Sequence, residues 1–354
     1  MASFLSSVFG GLARLWNPPR YQWPFFVVES LHLTRAYYVA AELGIADLLA
    51  ERPRTLAELA TSTETDARSL YVMLRALAAF RVFAEDRHGR FRMTRRARVL
   101  LSDHPASLRS WLVFMGRTEL WQGFACTLKA VKTGTPAFEV AHGVTYYEYL
   151  NQHPEFASTF FHALSSWTEW HCRQILKAYD FGRFPLIADV GGGLGCLIQQ
   201  IVTAYPQVRG ILFDQPETVR MAQPRFEAAG VSRRCQFAGG SFLESVPSGA
   251  DLYVIKYVLN DFDDEQAGLI LGNCRQAMSP EATLLVADTV LNPRNGTDRV
   301  VKLLDVERTS LLRGGMRTRE EFEALLSRSG FDLIAVHSTA VLDLQLLEAK
   351  PASS

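Results

Sequence analysis

Ile187-Ala-Asp-Val-Gly-Gly-Gly-Leu-Gly195 is an apolar run that carries one acid and then places four glycines in five residues. Cys196-Leu-Ile-Gln-Gln-Ile-Val-Thr-Ala-Tyr205 follows with helical spacing. The stretch reads as a β-strand, a tight turn and a helix N-terminus. Glycine suits the turn because a residue without Cβ lets the backbone bend sharply and come within hydrogen-bonding distance of a ligand. A dinucleotide fingerprint requires G-x-G-x-x-G, but the sixth position counted from Gly191 is Cys196. The pattern present from Asp189 to Gly195 is D-x-G-x-G-x-G, a spacing that favours S-adenosylmethionine.

A ribose-binding acid is expected at the end of the next strand. Arg209-Gly-Ile-Leu-Phe213 closes on Asp214, in position to accept hydrogen bonds from ribose hydroxyls. The competing use of Asp214 is as N-cap of the helix opening at Pro216-Glu217. From Leu186 onward strands and helices alternate. Strands are expected at 186–190, 209–213, Cys235–Phe237, 251–256 and 283–287, helices at 298–313 and 318–329, and a closing strand pair at 331–337 and 341–348. This is an α/β pattern, a Rossmann-like doubly wound sheet with its ligand crevice at the strand C-termini.

The N-terminal part reads differently. Thr55-Leu-Ala-Glu58 is a capping box, and after Thr61–Asp66 a second helix runs through Leu70, Met73, Leu74 and Leu77. Val82-Phe83-Ala84 and Arg90-Phe91-Arg92-Met93, joined by Glu85–Gly89, complete a mainly α-helical winged helix. Such modules commonly read DNA with the second helix. Here Ala67–Ala78 offers only Arg68, Ser69, Tyr71 and Arg75 as polar contacts, which suits a protein interface better. The six arginines of Arg87–Arg98 keep a winged-helix regulator open as an alternative. Residues 117–180 are helical and rich in aromatics, either as core packing or as the wall of a flat apolar pocket, with Phe160, Leu164 and Trp167 on one helix face.

Length and composition agree with two domains in a soluble protein. The chain has 354 residues, 48% hydrophobic and 21% charged, with 37 basic and 37 acidic side chains. That balance gives no electrostatic reason to expect nucleic acid or a membrane as partner, although residues 1–116 hold 15 Arg against 10 acids. The five cysteines are scattered without a C-x-x-C pair, so neither a disulfide framework nor a metal site is expected and the compartment reads as cytoplasmic. No run approaches a transmembrane helix. Residues 1–23 place apolar side chains at helical spacing and read as an arm that packs on a partner subunit, a transit peptide or membrane-surface helix being the alternatives.

Taken together, Ala41-Glu-Leu-Gly-Ile-Ala-Asp-Leu-Leu49, Asp189–Gly195, Gly249-Ala-Asp-Leu-Tyr-Val-Ile-Lys256, Asp261-Phe-Asp-Asp-Glu-Gln266 and Asn273-Cys-Arg275 resemble the class I S-adenosylmethionine-dependent O-methyltransferases of the caffeate, hydroxyindole and bacterial polyketide type. The resemblance covers nearly the whole chain. It implies a winged-helix dimerisation domain over 1–116, a helical linker and substrate-pocket wall over 117–180, and the cofactor-binding domain over 181–354. It further implies a homodimer acting on a small-molecule substrate, a hydroxylated aromatic or polyketide. Asp189, Gly191, Gly193, Asp214, Ser241, Phe242 and Lys256 would bind the cofactor, and Phe160, Leu164, Trp167, Phe262 and Met316 the substrate.

The catalytic positions depart from the family. It has His-Asp-Trp where this chain has Asn260-Asp261-Phe262; the first supporting acid is shortened to Asp288, and Met316 takes the place of the second. Asparagine can hydrogen-bond a hydroxyl but cannot accept its proton. Either methyl transfer proceeds by proximity and alignment, with Asn260, Asp261 and Asp288 at the catalytic centre, or the bound sulfonium serves a cyclisation, hydroxylation or rearrangement without methyl transfer. His162 and His171 are candidates for a replacement base.

Overall fold

The computed structural model describes residues 23–104, 107–294, 298–341 and 344–352. The arm read from residues 1–23 therefore lies outside the described residues, apart from Trp23, which opens the helix Trp23–Glu42. The chain divides into two compact units, one made of the described residues up to Trp121 together with 153–167, the other of 122–152 with 168–352. The stretch 117–180 is shared between them because the helix Pro154–Ala178 serves both. Near its start Phe156 and Phe160 meet the Phe114 ring at 5.7 and 5.4 Å. Near its end Cys172 and Ile175 join the core beneath the large sheet.

In the first unit the expected capping box is formed. Thr55 Oγ1 accepts from the Glu58 N–H at 3.3 Å, and Glu58 Oε2 accepts from the Thr55 N–H at 2.7 Å, so both orphan donors of the helix Leu56–Ser62 are satisfied. Asp66 caps the helix Ala67–Ala79 through the Ser69 N–H at 2.8 Å. That helix buries Leu70, Leu74 and Leu77, an i, i+4, i+7 stripe. Strands β1 (Arg54–Thr55), β2 (Phe83–Glu85) and β3 (Arg90–Met93) pair antiparallel in the order β1-β3-β2. The two residues of β1 are too few to leave an alternating pattern in the sequence.

The second unit is built on an eight-stranded sheet. Strands β4 (Leu186–Val190), β5 (Arg209–Asp214), β6 (Cys235–Gly239), β7 (Leu252–Lys256) and β8 (Thr283–Leu291) are parallel, while β10 (Phe331–Ser338) and β11 (Leu344–Pro351) close it antiparallel. The order is β10-β11-β8-β7-β4-β5-β6, with β9 (Arg317–Thr318) set against the end of β8. β8 is longer than its sequence pattern suggests because β9 and β11 pair its last residues. β11 starts three residues late because Thr339 turns the chain, its hydroxyl donating to Leu344 O and accepting from Val341 N–H. Ile187, Val190, Leu252–Ile255 and Leu284–Ala287 are fully buried, as expected of parallel strands covered on both faces. Strand order reverses between β4 and β7, and a crevice opens at such a switch point. Asp189 sits near the carboxyl end of β4 and Lys256 ends β7.

Candidate active site

The glycine loop holds its shape by three devices. Gly191 and Gly192 both donate to Phe213 O, at 2.8 and 3.3 Å, which pins the loop to β5. Gly193, at φ 58°, donates its N–H to Asp214 Oδ2 at 2.8 Å, and a Cβ built there would meet nothing within 4 Å. The loop therefore turns through a left-handed residue that faces open space, the requirement for backbone approach to a ligand. Asp214 also accepts from the Gln215 N–H at 2.8 Å, and Gln215 is the N-cap of the helix Pro216–Ala228, so Asp214 is not used as that cap.

Asp189 is 1% exposed, and neither carboxylate oxygen makes a well-formed hydrogen bond. Burial raises its carboxyl to about 6, with the Lys256 ammonium and the Ile198 amide pulling the other way. An orphaned buried carboxylate of this kind waits for a donor. The Lys256 ammonium rests 4.9 Å from the centroid of the Tyr257 ring. Tyr257 is held at φ 55°, strained for a non-glycine, by its N–H to Ala287 O and by a 3.0 Å hydrogen bond between its hydroxyl and His171 Nδ1. Burial, reinforced by Lys256, pushes His171 down to about 3. His171 is thus spent as a hydrogen-bond partner and is no base near neutral pH, which corrects that sequence expectation. His162 is exposed in the first unit.

Asn260 lies on the short 3₁₀ turn Leu259–Asp261 after β7 and is completely buried. Its Nδ2 donates to Asp288 Oδ1 at 2.9 Å and Thr289 O at 2.8 Å, with Met316 Sδ at 3.7 Å, and its Oδ1 accepts from the Arg317 N–H at 3.3 Å. Every hydrogen-bonding group of the amide is engaged by protein. The expectation that Asn260 offers a hydrogen bond to a substrate hydroxyl is corrected accordingly: it turns inward and knots the turn to β8 and β9. Asp288, also fully buried, is raised to about 6 by burial, with the Thr289 and Asn260 amides lowering it. Arg317 fixes the other side, donating to Leu259 O, Phe262 O and Asp264 Oδ1. Gly314 completes the knot. A Cβ at 314 would stand 2.2 Å from Asn260 O and 2.5 Å from the Asp261 carbonyl carbon. Backbone cannot yield there, so Gly314→Ala should displace the turn and cost about 1–3 kcal/mol, read as a lowered urea midpoint; an unchanged midpoint would show that the loop gives way freely.

Asp261 is held between two partners. Oδ2 accepts from the Tyr147 hydroxyl at 2.6 Å and Oδ1 from the Arg308 guanidinium. The Tyr147 ring stacks on Phe262 at 6.0 Å and 7°, and Phe242 meets Phe262 edge-on at 5.6 Å. The Phe242 ring also stands where a Cβ on Gly191 would be, at 3.2 Å, so the cofactor loop and this aromatic wall adjoin. Phe262 and Met316 line a groove with Gly314 and Gly315. Ser241 lies beside Phe242, its Oγ accepting from the Leu243 N–H at 3.3 Å. Asp189, Gly191, Phe242, Lys256, Asn260, Asp261, Phe262, Asp288 and Met316 all belong to the second unit. Phe160 and Leu164 belong to the first, where Phe160 also meets Phe161 at 5.5 Å, and the Trp167 side chain is outside the described residues. Tyr147, Arg308 and Arg317 were not singled out from the sequence, and no local motif marks them.

The glycine loop and the unpaired acid thus stand together at the switch point of a sheet whose strands β4 to β8 are parallel, the usual place for a ligand in such sheets. The family model of the O-methyltransferase domain matches residues 124–332, and that of the O-methyltransferase dimerisation domain residues 27–103. The phenazine O-methyltransferase PhzM of Lysobacter antibioticus is 39% identical over 92% of this chain and 94% of its own. The phenazine-1-carboxylate N-methyltransferase of Pseudomonas aeruginosa is 31% identical over 86% and 90%. The solved structure of NcsB1, an O-methyltransferase from neocarzinostatin biosynthesis in complex with S-adenosylmethionine and 2-hydroxy-5-methyl naphthoic acid, superposes with a TM-score of 0.80 at 30% identity, covering 90% of this chain and 95% of that one. The chain belongs to the S-adenosylmethionine-dependent O-methyltransferase family. Among the described residues no helix is long and apolar enough to cross a membrane, and no cluster of His, Cys, Asp and Glu could hold a metal ion.

Proposed function

We propose that the protein methylates a hydroxyl group of a planar aromatic or polyketide-like small molecule. The observation that carries this reading is the orphaned Asp189 carboxylate at the switch point of a chain matched by the O-methyltransferase family model. The unpaired acid and the open face of Gly193 fit a cofactor that brings an ammonium group and needs close backbone approach. When bound, S-adenosylmethionine supplies an electrophilic methyl group on a sulfonium. Asp189, Gly191 and Gly193 would hold its methionine part, Asp214 the ribose, Ser241 and Phe242 the adenine, and Lys256 the carboxylate.

Phe262, stacked under Tyr147, orients a flat ring, with Met316 lining the same groove. Asn260 and Asp288 act by holding the 259–262 turn, and Asp261 by anchoring Tyr147. Alignment of this kind supplies about 7–11 kcal/mol of barrier reduction, against about 10²–10⁴-fold for a general base. Residues 1–116 serve as the dimerisation domain of a homodimer, 117–180 as linker and pocket wall, and 181–354 as the cofactor domain. Relatives are named as a phenazine O-methyltransferase, a mitomycin biosynthesis 6-O-methyltransferase and a 2,7-dihydroxy-5-methyl-1-naphthoate 7-O-methyltransferase, which supports a planar substrate and lends nothing to a non-methylating or regulatory role.

The test is the yield of S-adenosylhomocysteine per product molecule across a panel of hydroxylated aromatics. One-to-one release is expected, and product without S-adenosylhomocysteine would overturn the reading. In the same assay series Asp214→Ala should weaken cofactor binding by about 1.5–3 kcal/mol, measured by calorimetry.

A further inference from the structure

A groove of about 590 Å³ lies on the first unit, where the end of the helix Ala67–Ala79 meets the hairpin of β2 and β3. Its lining includes four exposed arginines, Arg81, Arg92, Arg95 and Arg96, against one carboxylate, that of Glu85. Arg96 has a structural use, because its guanidinium donates to the C-cap carbonyl Phe80 O at 2.8 Å. The Arg81, Arg92 and Arg95 guanidinium groups make no hydrogen bond or ion pair among the described residues. Elsewhere in the same unit Arg52, Arg54, Arg90, Arg109 and Arg117 each pair with a carboxylate at 2.6–3.0 Å. Positive charge is therefore left unmatched at the groove in a unit that otherwise matches it.

The backbone that carries these side chains is fixed. Arg81 follows the helix at φ 58°. Its N–H donates to Ala78 O and the Val82 N–H to Leu77 O, both at 2.9 Å, the paired bonds of a Schellman ending whose left-handed position ordinarily falls to glycine. An arginine there holds strain that glycine would not. Thr94 ties the two sides of the groove together: its Oγ1 lies 2.8 Å from Arg81 O and 2.7 Å from Val82 O as donor, and accepts from the Arg96 N–H at 3.1 Å. Arg92 stands on β3 and Arg95 in the turn after it, so chain segments on both sides of the tie contribute guanidinium groups. Strain kept at a residue whose side chain lines a groove points to a use for that side chain.

We propose that this groove binds a ligand bearing two or more adjacent phosphate groups. Guanidinium is planar and always charged, and its fork meets phosphate oxygens two at a time, so several around one groove suit clustered phosphates better than a lone carboxylate. The volume falls within the range of small-ligand sites, about 300–1,000 Å³. The unmatched charge draws such an anion toward the groove. Glu85 opposes it only in part, and its Oε2 already accepts from the Tyr71 hydroxyl at 3.4 Å. A free oligophosphate and a nucleic-acid strand both present this chemistry, and the experiment separates them. The groove shares no residue with the cofactor loop or the aromatic wall, so the proposal stands apart from the methyl-transfer reading.

Calorimetry of the full chain with inorganic triphosphate, and separately with a short DNA duplex of arbitrary sequence, tests the site at low and at physiological salt. Binding is expected at low salt and should weaken as salt rises. Arg92→Ala and Arg95→Ala should each raise Kd about 3- to 10-fold, whereas Arg98→Ala, an exposed arginine outside the lining, should change it by less than about twofold. Arg81→Gly should weaken binding as the other two do, yet raise the melting temperature by about 1–3 °C, because glycine takes the left-handed position without strain. Triphosphate binding lost in these variants supports the site and assigns it to a free oligophosphate; duplex binding alone, lost in the same variants, supports it and assigns it to nucleic acid. Binding of neither probe, or losses as large for Arg98→Ala as for Arg95→Ala, would overturn the proposal. A lowered melting temperature for Arg81→Gly with binding intact would do so too, by showing that arginine to be structural. S-adenosylhomocysteine release should stay at the wild-type level in all four variants. Failure of the wild type to release it with product would overturn the methyl-transfer reading instead, and the calorimetry would still decide the groove.

Discussion

Asn260→Ala should lower stability by about 3–5 kcal/mol at pH 7.5, a larger loss than its short side chain suggests. Truncation removes one of the two donors to Asp288 Oδ1, which keeps the Thr289 N–H at 2.8 Å, takes the side-chain donor from Thr289 O, and leaves the Arg317 N–H without its side-chain acceptor, all in fully or nearly fully buried surroundings. An unsatisfied buried polar group costs about 1–3 kcal/mol, more if charged, and here Thr289 O and the Arg317 N–H each lose a partner while a charged carboxylate loses one of its donors. The deficit should shrink on acidification. Asp288 has a folded pKa of about 6, above the unfolded carboxylate value, so the cost of burying its charge is present above pH 6 and is relieved as pH falls toward about 4. Losing a donor hurts the charged form most. Urea unfolding at pH 7.5 and 5 measures both effects, and equal midpoints for mutant and wild type at both pH values would show the amide to be idle.

Asp189→Asn should move stability and binding in opposite directions. Asp189 is raised to about 6 by burial, so at pH 7.5 the free protein carries an ionised group it would rather protonate. Removing that charge should stabilise the cofactor-free protein by about 1–3 kcal/mol, and the gain should fade as pH falls through 6 toward 4, where the wild-type acid is neutral as well. The same change removes the partner of a buried cationic group in the complex and should weaken S-adenosylmethionine binding by about 2–5 kcal/mol, roughly 30- to 4,000-fold in Kd. Thermal unfolding without ligand and calorimetry with it check the two halves separately. A mutant that binds as tightly as the wild type would remove Asp189 from the cofactor site.

The features legible in the sequence were those with local cause. The glycine loop, the acid closing β5, the capping box at Thr55 and the apolar runs of β4, β7 and β8 each write their requirement into adjacent residues. What was illegible depends on partners far apart in the chain. Tyr147 and Arg308 reach Asp261 from 114 and 47 residues away, and the Asn260 knot draws on positions 28 to 57 residues downstream. Reading Asn260 as the residue left at an emptied catalytic position suggested an amide facing the ligand. The tertiary hydrogen bonds decide otherwise.

The wiring of Asn260 also bears on how this protein can change over generations. An imidazole at 260 would have to enter a volume in which Asp288, Thr289, Met316 and Arg317 are already fitted to a carboxamide. Asn260→His alone should therefore lower stability before any gain in chemistry appears. The position thus behaves as a ratchet in sequence space: a single substitution at 260 is penalised until its neighbours change with it.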